Sequence, residues 1–436
     1  MIYSNALTWI VSFGRLPVFA AALLLLPIAF ASQTLIAQDT SVWPQWRGAA
    51  MDNHAADDVT LPTQWNFQTG ENIAWKTKIP GRGHSTPIVT PVGIFLTTAD
   101  EAKQTQSVVK IDVDSGHVLD TYVLHRGTLP ERIHPNNSYA SPTMAYDGKL
   151  LFASFHTADA IVVTALYPDG RKAWQKKVCN FAPSVFQFGY GASPVMFDEL
   201  LIIAAEYDGA DSGIYALDRE TGKQVWKIQR PENLNFASVA ITEIAGQQQM
   251  LIAGADKFVS YDPSTGKEIW SVESATEAIC GTVVWDNRSV LVSGGNPVSG
   301  TWCVSAAGRH QQLWTNRVKC YEQSLLAIKN YVFGVADNGV AYCWRTQDGT
   351  EMWKRRLFGG GISASPLYAD GHLIVASERG EVFIIDAVPD RFDLISEIQT
   401  GDSIFASPVV IGKRMYLRTG VEEANGRQEY LIAIGM

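Results

Sequence analysis

Residues 216–226 read Ala-Leu-Asp-Arg-Glu-Thr-Gly-Lys-Gln-Val-Trp. An apolar run ends at Leu217, a tight turn falls at Thr221-Gly222, and a second run closes on Trp226. Gly222 supplies the positive φ that such a turn requires, and the Asp218 carboxylate is placed to accept turn N–H groups. The unit recurs as Gly170 with Trp174, Gly266 with Trp270, Gly349 with Trp353 and, with extra turn residues, Gly308 with Trp314. Asp114-Ser115-Gly116 followed by Leu119, and Asp386 followed by Leu394, read as degenerate copies with an aliphatic residue in place of the Trp.

A second landmark alternates with the first. A small polar residue, often beside Pro, opens an apolar run at Ser85-Thr86-Pro87, Ser141-Pro142, Ser193-Pro194, Ser238, Thr282, Ser324, Ser365-Pro366 and Ser407-Pro408. The interval is roughly 40–55 residues, which is the period of a propeller blade. Short β-branched and aromatic runs lie between the landmarks, for example 150–155, 200–205, 373–376 and 415–417, each after a turn such as Tyr146-Asp147-Gly148. Nothing in the repeat has a helical period. The sequence therefore predicts an all-β, eight-bladed β-propeller with four-stranded blades. The last blade is short of one strand after residues 430–434. A turn-plus-Trp piece around Trp75 has no blade before it. Pairing the N-terminal strand with the C-terminal blade closes the ring and removes both open edges.

The flanks are read separately. Residues 1–37 have the build of a signal peptide: Arg15, an apolar run over 16–30, and small residues for cleavage after Ala31 or Ala37. Pro17, Pro27 and the short span argue against a stable membrane anchor. The first cysteine is Cys179, so no N-terminal lipid-carrying Cys is present. A periplasmic or secreted protein is expected. Residues 38–62 form a leader, and residues 63–436 the propeller. In the leader, Trp43-Pro44-Gln45-Trp46-Arg47-Gly48 reads either as a small ligand platform or as packing of the leader against the domain surface. The net charge of −9 and the lack of a Lys/Arg run argue against nucleic acid as a partner, and none is expected. A monomer is expected.

The pattern Ala-x-Asp-x-x-Thr-Gly-x-x-x-Trp resembles the tryptophan-docking repeat of the pyrroloquinoline quinone (PQQ)-like eight-bladed propellers. Ala216, Asp218, Gly222 and Trp226 match it in full; Asp262, Gly266 and Trp270 match with Ser260 for Ala; Gly349 and Trp353 match with Cys343 and Arg345 elsewhere. The resemblance implies that Trp75, Trp174, Trp226, Trp270, Trp314 and Trp353 pack between neighbouring blades. The family includes quinone-dependent alcohol and sugar dehydrogenases and outer-membrane assembly lipoproteins. Many of the dehydrogenases carry a vicinal Cys-Cys disulfide, an Asp base, and a calcium held by Glu and Asn. This chain has no adjacent cysteines and no comparable set of carboxylates. The expected function is a non-catalytic binding or scaffold module for a protein or a small polar ligand, without metal or cofactor. A PQQ- and calcium-dependent oxidoreductase is the alternative, and an outer-membrane assembly partner a further one.

Ligands of propellers meet the funnel at one end of the axis, where loops lead into the inner strands. Those loops offer Arg82, His84, Arg132, His134, Asn136, Asn137, Tyr139, Gln187, Tyr190, Asn235 and Glu322 as candidate ligand-binding residues. His84 and His134 could form a two-His metal site, though the spacing suggests no third ligand. Glu206, Asp208 and Asp211 form an acidic loop that reads as a calcium loop or as solvated turn chemistry. Cys280 and Cys320 sit at equivalent places in adjacent blades, near the axis, and read as buried thiols or as a disulfide.

Overall fold

The computed structural model describes residues 42–56 and 59–435 together with Gly14. The predicted signal segment otherwise lies outside the described residues. Strands, and no α-helix, make up the regular structure there, in eight four-stranded antiparallel sheets. Blades 1 to 7 are simple meanders over residues 88–126, 145–180, 195–229, 240–273, 284–316, 326–356 and 367–399. Blade 8 takes three strands from the C-terminus, Val409–Ile411, Arg414–Glu423 and Gly426–Gly435, and its outer strand, Ile73–Ile79, from the other end of the chain. In that pairing Trp75 lies opposite Ala433 and Lys76 opposite Ile432. The ring is closed as the orphan half-repeats required.

Burial follows position within a blade. Strand Leu200–Ala205, in the middle of blade 3, is buried on both faces because a neighbouring blade covers each. Strand Gln224–Gln229, at the outer edge, alternates between exposed and half-buried residues.

Two rings of contacts join the blades. Near the axis, at six of the eight junctions, the small polar residue that opens an inner strand accepts through its hydroxyl an N–H of the preceding blade. The Thr86 N–H donates to Thr143 Oγ1 at 3.1 Å, Thr143 N–H to Ser193 Oγ at 3.0 Å, and Ser193 N–H to Ser238 Oγ at 2.9 Å. The series resumes from Thr282 to Ser324 at 3.0 Å, Ser324 to Ser365 at 2.9 Å and Ser365 to Ser407 at 2.9 Å. Those N–H groups are buried edge donors of the innermost strands, and the hydroxyl girdle satisfies them.

Farther out, each blade's aromatic lies on the turn of the next. A Cβ on Gly222 would stand 2.7 Å from Trp174, and one on Gly349 2.7 Å from Trp314, so only glycine allows the ring so close. Trp75, Trp174, Trp314 and Trp353 also donate their indole N–H to a backbone carbonyl of the next turn, at 3.2, 2.9, 2.7 and 3.0 Å. Trp270 stacks instead on His310, centroids 4.9 Å apart, and Trp226 packs beside Gly266 with its indole N–H unpartnered.

The degenerate copies need correcting. By strand register the place of Trp226 is taken by Asp120 in blade 1 and Ser396 in blade 7, not by Leu119 and Leu394. Leu119 and Leu394 are 54% and 40% exposed on the outer edge. In blade 1 the docking aromatic is Tyr122, two residues on, which packs on Gly170 and donates to the Pro168 carbonyl at 3.2 Å.

The leader does not lie on the outer surface. Its residues bond one after another to the far ends of the inner strands: Trp43 pairs with Val89, the Pro44 carbonyl accepts from Tyr146 N–H, and Gln45 Oε1 accepts from Met196 N–H. Farther along, His54 Nε2 lies 2.9 Å from the Ala327 carbonyl and Ala55 N–H donates to Tyr368. Inner strands face the axis with unpaired edges, and the leader crosses blade after blade to pair them. Arg47 is buried with it, its guanidinium held by the Met51, Asp52 and Leu325 carbonyls and its pKa lowered to about 10 by burial.

Trp174→Ala removes an indole between two blades and is expected to cost about 3–5 kcal/mol in a reversible denaturation experiment. Ser193→Ala leaves the buried Thr143 N–H without an acceptor and is expected to cost about 1–3 kcal/mol. Equal stability of either variant and the wild type would show that the contact does not staple the ring.

Candidate functional site

The inner strands all run the same way along the axis, so the leader closes one end and the loops preceding the strands surround the other. Between them lies an axial cavity of about 280 Å³. Trp46 belongs to its lining from the leader side, its indole N–H donating to Thr282 Oγ1 at 2.9 Å. Around the axis come the girdle hydroxyls of Thr86, Thr143, Ser193, Ser238, Thr282 and Ser407. The mouth has aromatic and polar side chains: His84, His134, Asn136, Asn137, Phe188, Phe236, Tyr321, Glu322 and Phe405.

His84 stacks on Phe405, centroids 4.3 Å apart and planes 9° from parallel. Burial holds its pKa well below 6.5, and Arg82, Arg418 and Arg427 add repulsion, so the ring is neutral. Its Nε2 is shielded and unpartnered, as is Thr86 Oγ1. His134 meets Phe188 edge to face at 5.1 Å. Asn137 ties its loop to the neighbouring one, donating to the Phe188 carbonyl at 2.6 Å while its Oδ1 accepts from Ser141 at 2.6 Å. At the opposite wall the Ser363 hydroxyl lies 2.6 Å from Glu322 and 2.7 Å from Glu378. One hydroxyl carries one proton, so both contacts are hydrogen bonds only if one carboxyl is protonated. Desolvation, then the repulsion of Glu378 and Asp337, raises the Glu322 pKa against the lowering effect of that hydroxyl.

Of the predicted ligand-binding residues, the axial cavity gathers His84, His134, Asn136, Asn137 and Glu322. Arg82 lies behind the wall, reaching the Asn136 carbonyl at 3.5 Å. Arg132 and Gln187 line a separate groove of about 200 Å³ on the rim. Tyr139 is half-buried against the core of blades 1 and 2, where its carbonyl accepts from Gln106. Tyr190 is buried and donates to the Ala204 carbonyl at 2.9 Å. Asn235 is a structural bracket: its amide donates to Glu206 and to the Ala253 carbonyl, and its oxygen accepts from Ile279 N–H. These three point away from the axis because apolar neighbours or buried carbonyls claim them. Trp46 and the girdle hydroxyls are not in the predicted set; a Trp-rich leader before the first blade and a hydroxyl at each polar step were the available signals.

The acidic loop does not gather its carboxylates. Glu206 pairs with buried Arg230, Asp208 accepts from Ser184 and Val185 N–H groups, and Asp211 accepts from Asn180. Among the described residues no three His, Cys, Asp or Glu are grouped to hold a metal. All five cysteines are free thiols, so Cys280 and Cys320 are not bridged. Burial pushes the Cys179, Cys303 and Cys343 thiols up to about 12, and Cys280 and Cys320 higher.

A family model described as outer membrane protein assembly factor BamB matches residues 54–185 and 140–355. Quinoprotein ethanol dehydrogenase of Pseudomonas aeruginosa is 26% identical over 272 residues, which is 58% of this chain and 39% of that protein. The quinone-dependent 1-butanol dehydrogenase of Thauera butanivorans is 27% identical over 260 residues, 55% and 38%. The chain thus matches about two-fifths of the length of these curated relatives. Among solved structures, BamB from Moraxella catarrhalis superposes with a TM-score of 0.58 at 15% identity, covering 82% of this chain and 98% of that one. A europium-containing methanol dehydrogenase gives 0.64 at 11% identity, covering 91% and 98%. Both show the same fold.

A calcium-bound quinone does not fit this lining. A calcium ion takes six to eight oxygen ligands. No aspartate lines the cavity, and its one carboxylate, Glu322, is engaged with Ser363.

Glu322 has a raised pKa in the fold, so it favours folding when protonated, and that contribution is lost as pH rises from the ordinary carboxylate value through the raised one. The stability of the wild type relative to Glu322→Gln is expected to fall across that window in denaturation series at stepped pH. Parallel curves would disprove the raised Glu322 pKa.

Proposed function

Since the chain belongs to the PQQ-like repeat family whose model is described as outer membrane protein assembly factor BamB, we propose that it is a non-catalytic binding module whose axial cavity takes a small polar ligand. One observation supports this best. The cavity joins aromatic walls to shielded, unpartnered polar atoms, His84 Nε2 and Thr86 Oγ1, which is the chemistry of a pocket that orients a small molecule. Export to the periplasm or outside the cell belongs to the same reading, from the sequence of residues 1–37.

Benzoate, benzamide and phenyl glucoside serve as probes. At tenfold excess over its Kd a ligand stabilises the fold by about 1.4 kcal/mol, so at least one probe is expected to raise the melting midpoint of the wild type. In Trp46→Ala, which removes the indole from the closed end, the rise is expected to vanish. No rise with any probe would remove this reading. With the quinone and calcium supplied, dye reduction in the presence of alcohols or sugars is expected to stay at background; sustained turnover would favour an oxidoreductase.

A second reading, a partner in an assembly of envelope proteins, is favoured by the loop at the mouth where Val185, Phe186 and Phe188 are 66%, 41% and 37% exposed. Exposed apolar side chains held together at a rim suit a protein contact. Phe186→Glu is expected to abolish co-purification of a partner from envelope extracts while leaving the melting midpoint unchanged.

A further inference from the structure

The girdle hydroxyls have a polarity that the blade contacts impose. Thr143, Ser193, Ser238 and Ser407 each accept a backbone N–H from the preceding blade, and Thr282 accepts the Trp46 indole N–H. A hydroxyl has one proton to give. Among the described residues none of these five, nor Thr86, donates to a protein acceptor, and all six line the cavity. Five of them thus already accept one hydrogen bond from the architecture, while their protons are left for whatever stands on the axis. Thr86, 2% exposed, has no side-chain partner at all. His84 adds a neutral ring with a shielded, unpartnered Nε2, which donates as the Nε2–H tautomer.

We propose that the axial cavity binds a small monocarboxylate with a flat apolar body, the carboxylate seated among the girdle hydroxyls and the body against Phe188, Phe236 and Phe405. This rests on the reading of the cavity as a ligand site and names the ligand class. A carboxylate is acceptor-only with two oxygens, and a convergent set of O–H donors matches it; bonds to an ionised acceptor are about twice as strong as neutral ones. Behind the His84 wall, Arg82, Arg418 and Arg427 outnumber Glu429 and favour an anion on that side of the cavity, away from Glu322, Glu378 and Asp337 at the opposite wall. The flat body follows from the aromatic walls, where His84 already lies parallel on Phe405.

The test uses benzoate against its neutral analogue benzamide, by calorimetry and by line broadening of fluorobenzoate in fluorine NMR, on the full folded chain. Thr86→Val is the informative variant: it removes a donor of matching shape, and its own N–H still donates to Thr143. Benzoate is expected to bind at least tenfold tighter than benzamide, and Thr86→Val to weaken benzoate at least fivefold without changing benzamide. His84→Phe, which keeps the stack, is expected to act in the same direction and covers the case of a Thr86→Val protein that does not fold. Equal binding of the two probes, or tighter binding of benzamide, overturns the carboxylate and leaves the ligand site standing. Binding of benzoate unchanged by both substitutions overturns its placement at the girdle. Binding of neither probe overturns the carboxylate, and phenyl glucoside then decides whether the cavity is a ligand site at all.

Discussion

Closure of the ring depends on what is done with the innermost N–H groups. Every blade of a propeller ends at the axis in an edge strand, and an edge strand leaves donors and acceptors that neighbouring sheets cannot reach by ordinary ladder pairing. Here a hydroxyl from each successive blade takes the N–H on one side, at six of the eight junctions. This is why a small polar residue opens each inner strand. It must reach an amide of the preceding blade across the narrowest part of the wedge. The two junctions outside the series are marked by larger devices. At one, Trp46 enters and donates to Thr282. At the other, buried Arg418 of blade 8 reaches across to Ser85 and the Thr97 carbonyl of blade 1, balanced by Glu429 at 3.1 Å. Such a pair is costly to break one partner at a time, which suits the place where the ends of the chain meet.

The outer ring was largely legible in the sequence because its geometry has a strict requirement. An indole lies so close to the next turn that a Cβ there would collide with it, so Gly and Trp recur together. Where the requirement relaxes, the reading fails. Gly308 has open space where a Cβ would go, and Trp270 finds His310 instead. In blade 1 the register, not the count from glycine, decides which residue faces the next blade; Tyr122 does so from a position no repeat motif marks. Blade 7 has Ser396 at the docking place, and Trp65, from the segment before the closing strand, is buried in the same core cluster as Ile398 and donates to Thr400.

The site was less legible, for a related reason. Sequence places a residue in a loop but not on the axial side of it. Tyr139, Tyr190 and Asn235 stand in loops that lead to the axis, yet each is held by a core or a buried carbonyl behind it. His84, His134 and the two asparagines reach the cavity because their loops fold over one another, Asn137 on Phe188 and His84 on Phe405. The girdle was visible as a spacing and not as chemistry. A serine at the start of a strand is ordinary turn material until its neighbours across the axis are known.

The leader couples the two problems. Inner strands satisfied by hydroxyls at one level still have free edge groups at their far ends, and residues 43–55 pair with them nearly all the way round. That pairing gives the leader a fixed path, and the path sets Trp46 on the axis. One consequence is a cavity closed at one end. Another is the bias of the hydroxyls above it: with one lone pair of most of them committed to an amide or to the indole, and no proton yet given, the girdle residues are foremost donors. The polarity of the site is therefore a by-product of closing the ring. A propeller that solved the axial edge with carbonyls, or with water alone, would present a different face to the same volume.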